Sequence, residues 1–183
     1  MYKLFRQYFL YFCRSVPVEW YERGLVFFCI VAVVLVGWLG WEKGWRKVAA
    51  LLLVEFVFFI FGSTVFFREA LTMARYDYTP FWSYKEILNG RDDLLVENIM
   101  NIAIFLPTGL LLGMTSRKMT WRKVVMIGGF FSVLIEILQY VFQRGLSEVD
   151  DIMHNTVGCL IGYGIYKICA YVYELLSKSR MTV

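Results

Sequence analysis

The stretch VVMIGGFFSVLIEILQYVF, residues 124–142, decides the fold class. Ser132, Glu136 and Gln139 are its polar exceptions in an otherwise apolar run. At 1.5 Å of rise per residue, such a run is long enough as a helix to cross a hydrocarbon core about 30 Å thick. Working outward, four more runs of the same kind occupy residues 24–41, 48–67, 98–114 and 155–176. The sequence therefore predicts an all-α, polytopic transmembrane helical bundle of about five spans, with a membrane domain at 24–176 and a tail at 177–183. Residues 1–23 read as an amphipathic, interfacial helix, with Leu4, Phe5, Tyr8, Phe9 and Phe12 towards lipid. Arg14 interrupts the aromatic run and no small-x-small site follows, which argues against a signal peptide.

Composition agrees. The chain is 59% hydrophobic and 19% aromatic, with a mean hydropathy of +0.57. A soluble domain of 183 residues could not hide that much apolar surface. The net charge of +4 comes from basic residues at the ends of apolar runs. They set orientation in a membrane, and no solvated basic face suggests nucleic acid as a partner. Cys13, Cys29, Cys159 and Cys169 lie in or beside apolar runs without a CxxC pair, and read as buried thiols.

The loops richest in Lys and Arg are 42–47 and 115–123, and the C-terminal tail falls on their side if there are five spans. That side is expected to be cytoplasmic, which places the acidic segments 68–97 and 143–154 outside. The basic residues Lys3, Arg6, Arg14 and Arg23 argue the other way.

Polar and ionisable side chains inside spans are costly and mark candidate chemistry. Glu136 leads, with Gln139 three residues on along the same helical face. A protonated acid bonded to a neighbouring helix is the structural alternative. Asp150 and Asp151 come next, aligned at helical spacing with His154 and Asn155 respectively. Adjacent carboxylates can perform acid/base work or hold a divalent cation. They also suit the first turn of a helix, where the dipole favours acids. Asn98 and Asn101 share a face at the start of the 98–114 span. Glu55 reads as a structural bond across helices. The GxxxG pairs Gly109–Gly113 and Gly158–Gly162 point to close helix contact within the bundle. Pro107 leaves the carbonyl of Ala103 without its helical donor.

Three segments together resemble the signatures of the VanZ-like family. The first is Asn98-Ile-Met-Asn101-Ile-Ala-Ile-Phe105-Leu-Pro107-Thr-Gly109. The second is Ser132-Val-Leu-Ile-Glu136-Ile-Leu-Gln139. The third runs from Arg144 through Glu148-Val-Asp150-Asp151-Ile-Met-His154-Asn155-Thr156-Val-Gly158, and Pro80-Phe81 resembles a further recurrent pair. The likeness covers about residues 55–166, with His154 standing where the family often has an aliphatic residue. It implies a multi-pass protein of a bacterial, Gram-positive plasma membrane, linked to teicoplanin resistance at the cell envelope.

Under that resemblance, the expected catalytic set is Glu136, Asp150 and Asp151, with Asp150 and Asp151 the metal ligands if there is a metal. The expected substrate-binding set is Asn98, Asn101, Gln139, Arg144, Asn155 and Phe81. Three functions stay open. One is an enzyme acting on a membrane lipid or lipid-linked cell-wall precursor. Another is a non-catalytic shielding protein that binds the drug's acyl tail or the lipid precursor and so reduces the drug's access. The third is a small transporter or flippase, for which a homo-oligomer would make up for the short chain.

Overall fold

A computed structural model describes residues 41–180. The expected interfacial segment 1–23, nearly all of the 24–41 span and the last three residues of the tail lie outside the described residues. Four described helices are long and apolar enough to cross a membrane: Gly44–Phe66, Asp92–Thr115, Trp121–Phe142 and Val149–Ser179.

The first, α1, spans Trp41–Phe61 and ends in a single π-helical turn, Gly62–Phe66. The hydroxyls of Ser63 and Thr64 donate to the carbonyl of Ile60, so the turn closes with side-chain donors as well as backbone ones. A strand, β1 (Arg75–Asp77), and a short helix, α2 (Trp82–Leu88), precede the second long helix, α3 (Asp92–Thr115). The third, α4 (Trp121–Phe142), starts at Thr120, whose hydroxyl accepts from the Lys123 backbone N–H. It stops at Gln143, which adopts the left-handed conformation at φ 56°. Strand β2 (Leu146–Glu148) leads directly into α5 (Val149–Arg180).

α3 begins six residues before the apolar run at 98–114, and α5 begins six before the run at 155–176. Hydropathy marks the lipid-facing length of a helix. It does not mark the polar first turns, which here carry Asp92 and Asp93 in α3 and Asp150 and Asp151 in α5. The acidic segment expected over 68–97 is accordingly a structured cap of β1, α2 and the first turns of α3. β1 pairs with β2 in parallel, Tyr76 opposite Ser147 and Asp77 opposite Glu148. The two acidic connections therefore meet at one end of the bundle.

Among the described elements the α3·α5 pair makes the most extensive contact. Glycines set its spacing. A methyl built on Gly109 would sit 1.8 Å from the Cys159 carbonyl oxygen, one on Gly158 2.2 Å from that of Ile102, and one on Gly162 1.9 Å from that of Leu106. Both GxxxG pairs are thus spent on one seam inside the chain. α3 runs through Pro107 without a break. Around the seam Ile60, Val65, Phe105, Leu112, Val124, Ile135, Cys159 and Tyr163 form the buried core. Among the described residues the Oε2 of Glu55 is buried without a hydrogen-bond partner.

Candidate functional site

The capped end of the bundle gathers the polar side chains, beginning with Asp150. It is fully buried in the first turn of α5. Its Oδ1 accepts from the Phe81 backbone N–H at 2.6 Å, and its Oδ2 accepts from the Ser83 N–H at 3.1 Å and the Ser83 hydroxyl at 2.7 Å. Asp150 therefore caps α2 from a different helix. Phe81, at φ 62°, holds a left-handed conformation that bulky residues rarely adopt. The bond from its N–H to Asp150 helps hold it there.

The neighbours of that cap are also engaged. Asn98, buried on α3, donates to Ser83 Oγ at 3.2 Å. Tyr84 and His154 share a 2.8 Å hydrogen bond. The Trp82 indole donates to Glu148 Oε2 at 2.9 Å. One turn of α2 is thereby tied to α3, β2 and α5 through side chains.

Asp151 faces the other way. Its Oδ1 accepts from Asn101 Nδ2 at 2.6 Å. Its field reaches Glu97, Glu136 and Glu148. Glu136, buried on α4, accepts the Glu148 backbone N–H at 2.8 Å. The opposing cations are Arg91, whose field reaches Glu97, and Arg68, whose field reaches Glu97 and Glu136. The Arg68 guanidinium lies against Gly145, where a side chain would meet it at 2.6 Å. Gly145 has φ 108°, a conformation that also favours glycine.

Beside this cluster lies a cleft of about 500 Å³. Arg75, Tyr76 and Asp77 of β1, Trp82 of α2, Arg91, Leu94 and Glu97 on the α3 side, and Leu146 and Glu148 of β2 line it. Burial, and then the charge of Asp151, push the Glu148 carboxyl up to about 8.

None of the nine residues singled out from sequence lines this cleft. Glu136, Asp151 and Asn101 stand in the shell behind its acidic wall. Asp150, Asn98 and the Phe81 backbone hold α2 in place. Gln139 donates to the Thr64 carbonyl at 3.2 Å, satisfying an acceptor in the last turn of α1. Arg144 donates to the carbonyls of Phe66 and Arg68, which fixes the exit from α1. Asn155 donates to Ser132 Oγ at 2.8 Å and so links α5 to α4; it does not meet Asp151. Asp150 and Asp151 are engaged separately, the oxygens of Asp150 by α2 and Asp151 Oδ1 by Asn101 on α3. Among the described residues, no group of three or more His, Cys, Asp or Glu side chains is disposed to hold a metal ion.

Sequence reasoning missed the cleft residues themselves. Glu97 was legible in part, since it is four residues from Asn101 and shares its helical face. Glu148 stood in the third signature segment without a role, and Trp82, Arg75 and Arg91 were not singled out, because the pairing of β1 with β2 is what brings them together.

Fold and site define a multi-pass helical membrane protein with an acid-walled cleft at one end of the bundle. Residues 47–170 match the family described as VanZ/LLP1, and the chain belongs to that VanZ-like family. It is similar to Protein VanZ of Enterococcus faecium, at 33% identity over 70 residues. That alignment covers 38% of this chain and 44% of the relative, less than half the length of either. No solved structure matches.

Proposed function

We propose that this chain acts at the outer face of a bacterial plasma membrane, where its cleft binds a lipid or lipid-linked envelope substrate and so supports resistance to teicoplanin-type glycopeptides. The observation that carries the reading is the cleft itself. It lies within the family-matched region, at the capped end of the bundle, and shows charges of both signs beside apolar helices.

The orientation has its own support. The opposite end carries Arg46, Lys47, Arg117, Lys118, Arg122 and Lys123. The positive-inside tendency makes that end cytoplasmic and turns the cleft outward. Binding without turnover is the form this site supports best. Asp150 is fully engaged as a cap, and Glu136 accepts a backbone N–H. Acid/base catalysis would fall to Glu97 and Glu148, which line the cleft.

The test is glycopeptide susceptibility in a Gram-positive host at matched membrane levels. Cells would carry the wild type, Glu148→Gln, Glu97→Gln, Asp151→Asn or Phe81→Ala. Loss of teicoplanin protection in the three carboxyl variants, with vancomycin susceptibility unchanged, supports the cleft as the working site. Full protection from all three, with loss only in Phe81→Ala, moves the function to the exposed aromatic rim. A wild type that gives no protection refutes the resistance role.

A further inference from the structure

The lining of the cleft is specific about charge. Arg75 and Arg91 are exposed at its rim, and Arg91 pairs with Asp93 at 2.9 Å on the outer side. Among the described residues, no ion pair joins either arginine to Glu97, Glu148 or Asp77 on the same wall. Charges of opposite sign thus share one concavity without a direct ion pair, although Arg91 and Glu97 feel each other's field. A simple anion would meet three carboxyls there, and a simple cation would meet two guanidinium groups. A ligand bearing both signs meets neither penalty.

The details narrow its class. Trp82 fixes one oxygen of Glu148, and the other has no hydrogen-bond partner among the described residues. A primary ammonium supplies N–H donors for such an oxygen and for Glu97, whereas a quaternary ammonium supplies none. The quaternary group would need an aromatic cage. The aromatic side chains that line the cleft are Trp82 and Tyr76 alone, too few to enclose one. Guanidinium groups at the rim match phosphate oxygens. Read as an outward site at the end of the bundle, the cleft would meet the headgroup layer, where helices leave the hydrocarbon.

We propose that the cleft is a receptor for a lipid headgroup carrying a phosphate and a primary ammonium, the phosphate on Arg75 and Arg91 and the ammonium between Glu97 and Glu148. The assignment rests on the reading of the cleft as an outward lipid site and names its ligand class. Burial first, and then the neighbouring carboxylates, raise the proton affinity of Glu148, and an arriving ammonium favours its charged form. Asp151 and Asn101 then act as positioning residues: they touch no ligand and set the field behind the wall.

The experiment is native mass spectrometry of the full chain in an uncharged detergent. Titrations would use short-chain phosphatidylethanolamine, phosphatidylcholine and phosphatidylglycerol, with water-soluble O-phosphoethanolamine as a fourth arm. Phosphatidylethanolamine is expected to bind at least about tenfold tighter than the other two lipids, as befits charge-assisted hydrogen bonds. Glu97→Gln and Glu148→Gln, each checked by thermal melting for an intact fold, should erase that preference while leaving phosphatidylglycerol binding in place. Arg75→Ala should weaken all three lipids. Equal binding of phosphatidylethanolamine and phosphatidylglycerol by the wild type overturns the proposal, as does a preference that survives both Gln variants. O-phosphoethanolamine binding as tightly as the lipid overturns the lipid assignment. A chain that selects phosphatidylethanolamine yet gives no teicoplanin protection keeps the headgroup site and loses the resistance role; protection without selection does the reverse.

Discussion

Replacing Gly162 by alanine tests the central packing argument. The added methyl would lie 1.9 Å from the Leu106 carbonyl oxygen and 2.9 Å from the Leu110 nitrogen. An ordinary carbon–oxygen contact needs about 3.3 Å, so α3 and α5 must part by roughly 1.4 Å. The opposing atoms are backbone, and no side chain can rotate away. A gap of that size forfeits half or more of each dispersion contact along the seam. Overpacking of this kind costs about 3 kcal/mol or more, at the upper end of the usual range. Gly158→Ala meets the Ile102 carbonyl at 2.2 Å and should cost a similar amount. Because one separation of the helices relieves both clashes, the double variant should cost clearly less than the sum. Gly113→Ala meets Tyr166 at Cδ1, Cγ and Cβ, 2.4, 2.7 and 3.1 Å away and close to the backbone, so it too should destabilise. Gly164→Ala meets nothing within 4 Å and should be neutral or slightly stabilising. Thermal or denaturant unfolding in one fixed detergent reads the series. Gly162→Ala as stable as Gly164→Ala would refute the close-backbone seam, and strict additivity of Gly158→Ala with Gly162→Ala would refute the shared displacement.

Three further outcomes follow from the capped end. Asp150→Asn puts an amide where one oxygen accepts a backbone N–H, and should cost about 2–3 kcal/mol and loosen α2, read as faster hydrogen exchange at Ser83 and Tyr84. Glu148 takes up its proton at about 8 in the folded chain against 4.5 for the ordinary group, so the folded state holds the extra proton between those values. Stability should therefore fall as pH rises from about 4.5 towards about 8, and Glu148→Gln should flatten that slope; a wild-type melting curve indifferent to pH over this window would count against the burial of this carboxyl. Single cysteines at Glu69 and at Lys118, in a background with the four native cysteines replaced, should label from opposite sides of intact cells, Glu69 from outside. Labelling of Lys118 alone from outside would invert the orientation.

The membrane class, the approximate spans and the family were legible in the sequence because each rests on local information. An apolar run declares its length in one stretch, and the GxxxG pairs declare that two backbones approach closely. The Asn98, Glu136 and Asp150 segments declared a polar constellation for the same reason. What each polar residue does was not legible. Asp150 reads from sequence as half of an acid pair, and the fold uses both its oxygens to cap a helix some seventy positions earlier. Gln139 and Arg144 read as site residues and serve the exit of α1. The cleft belongs wholly to tertiary structure, since Arg75, Trp82, Glu97 and Glu148 share a wall only after β1 pairs with β2 beside α3. Hydropathy is a property of successive residues, so the chain alone determines which segments enter the membrane. The partner that satisfies a buried polar group can come from any helix that packs against it, and only the packed bundle decides which.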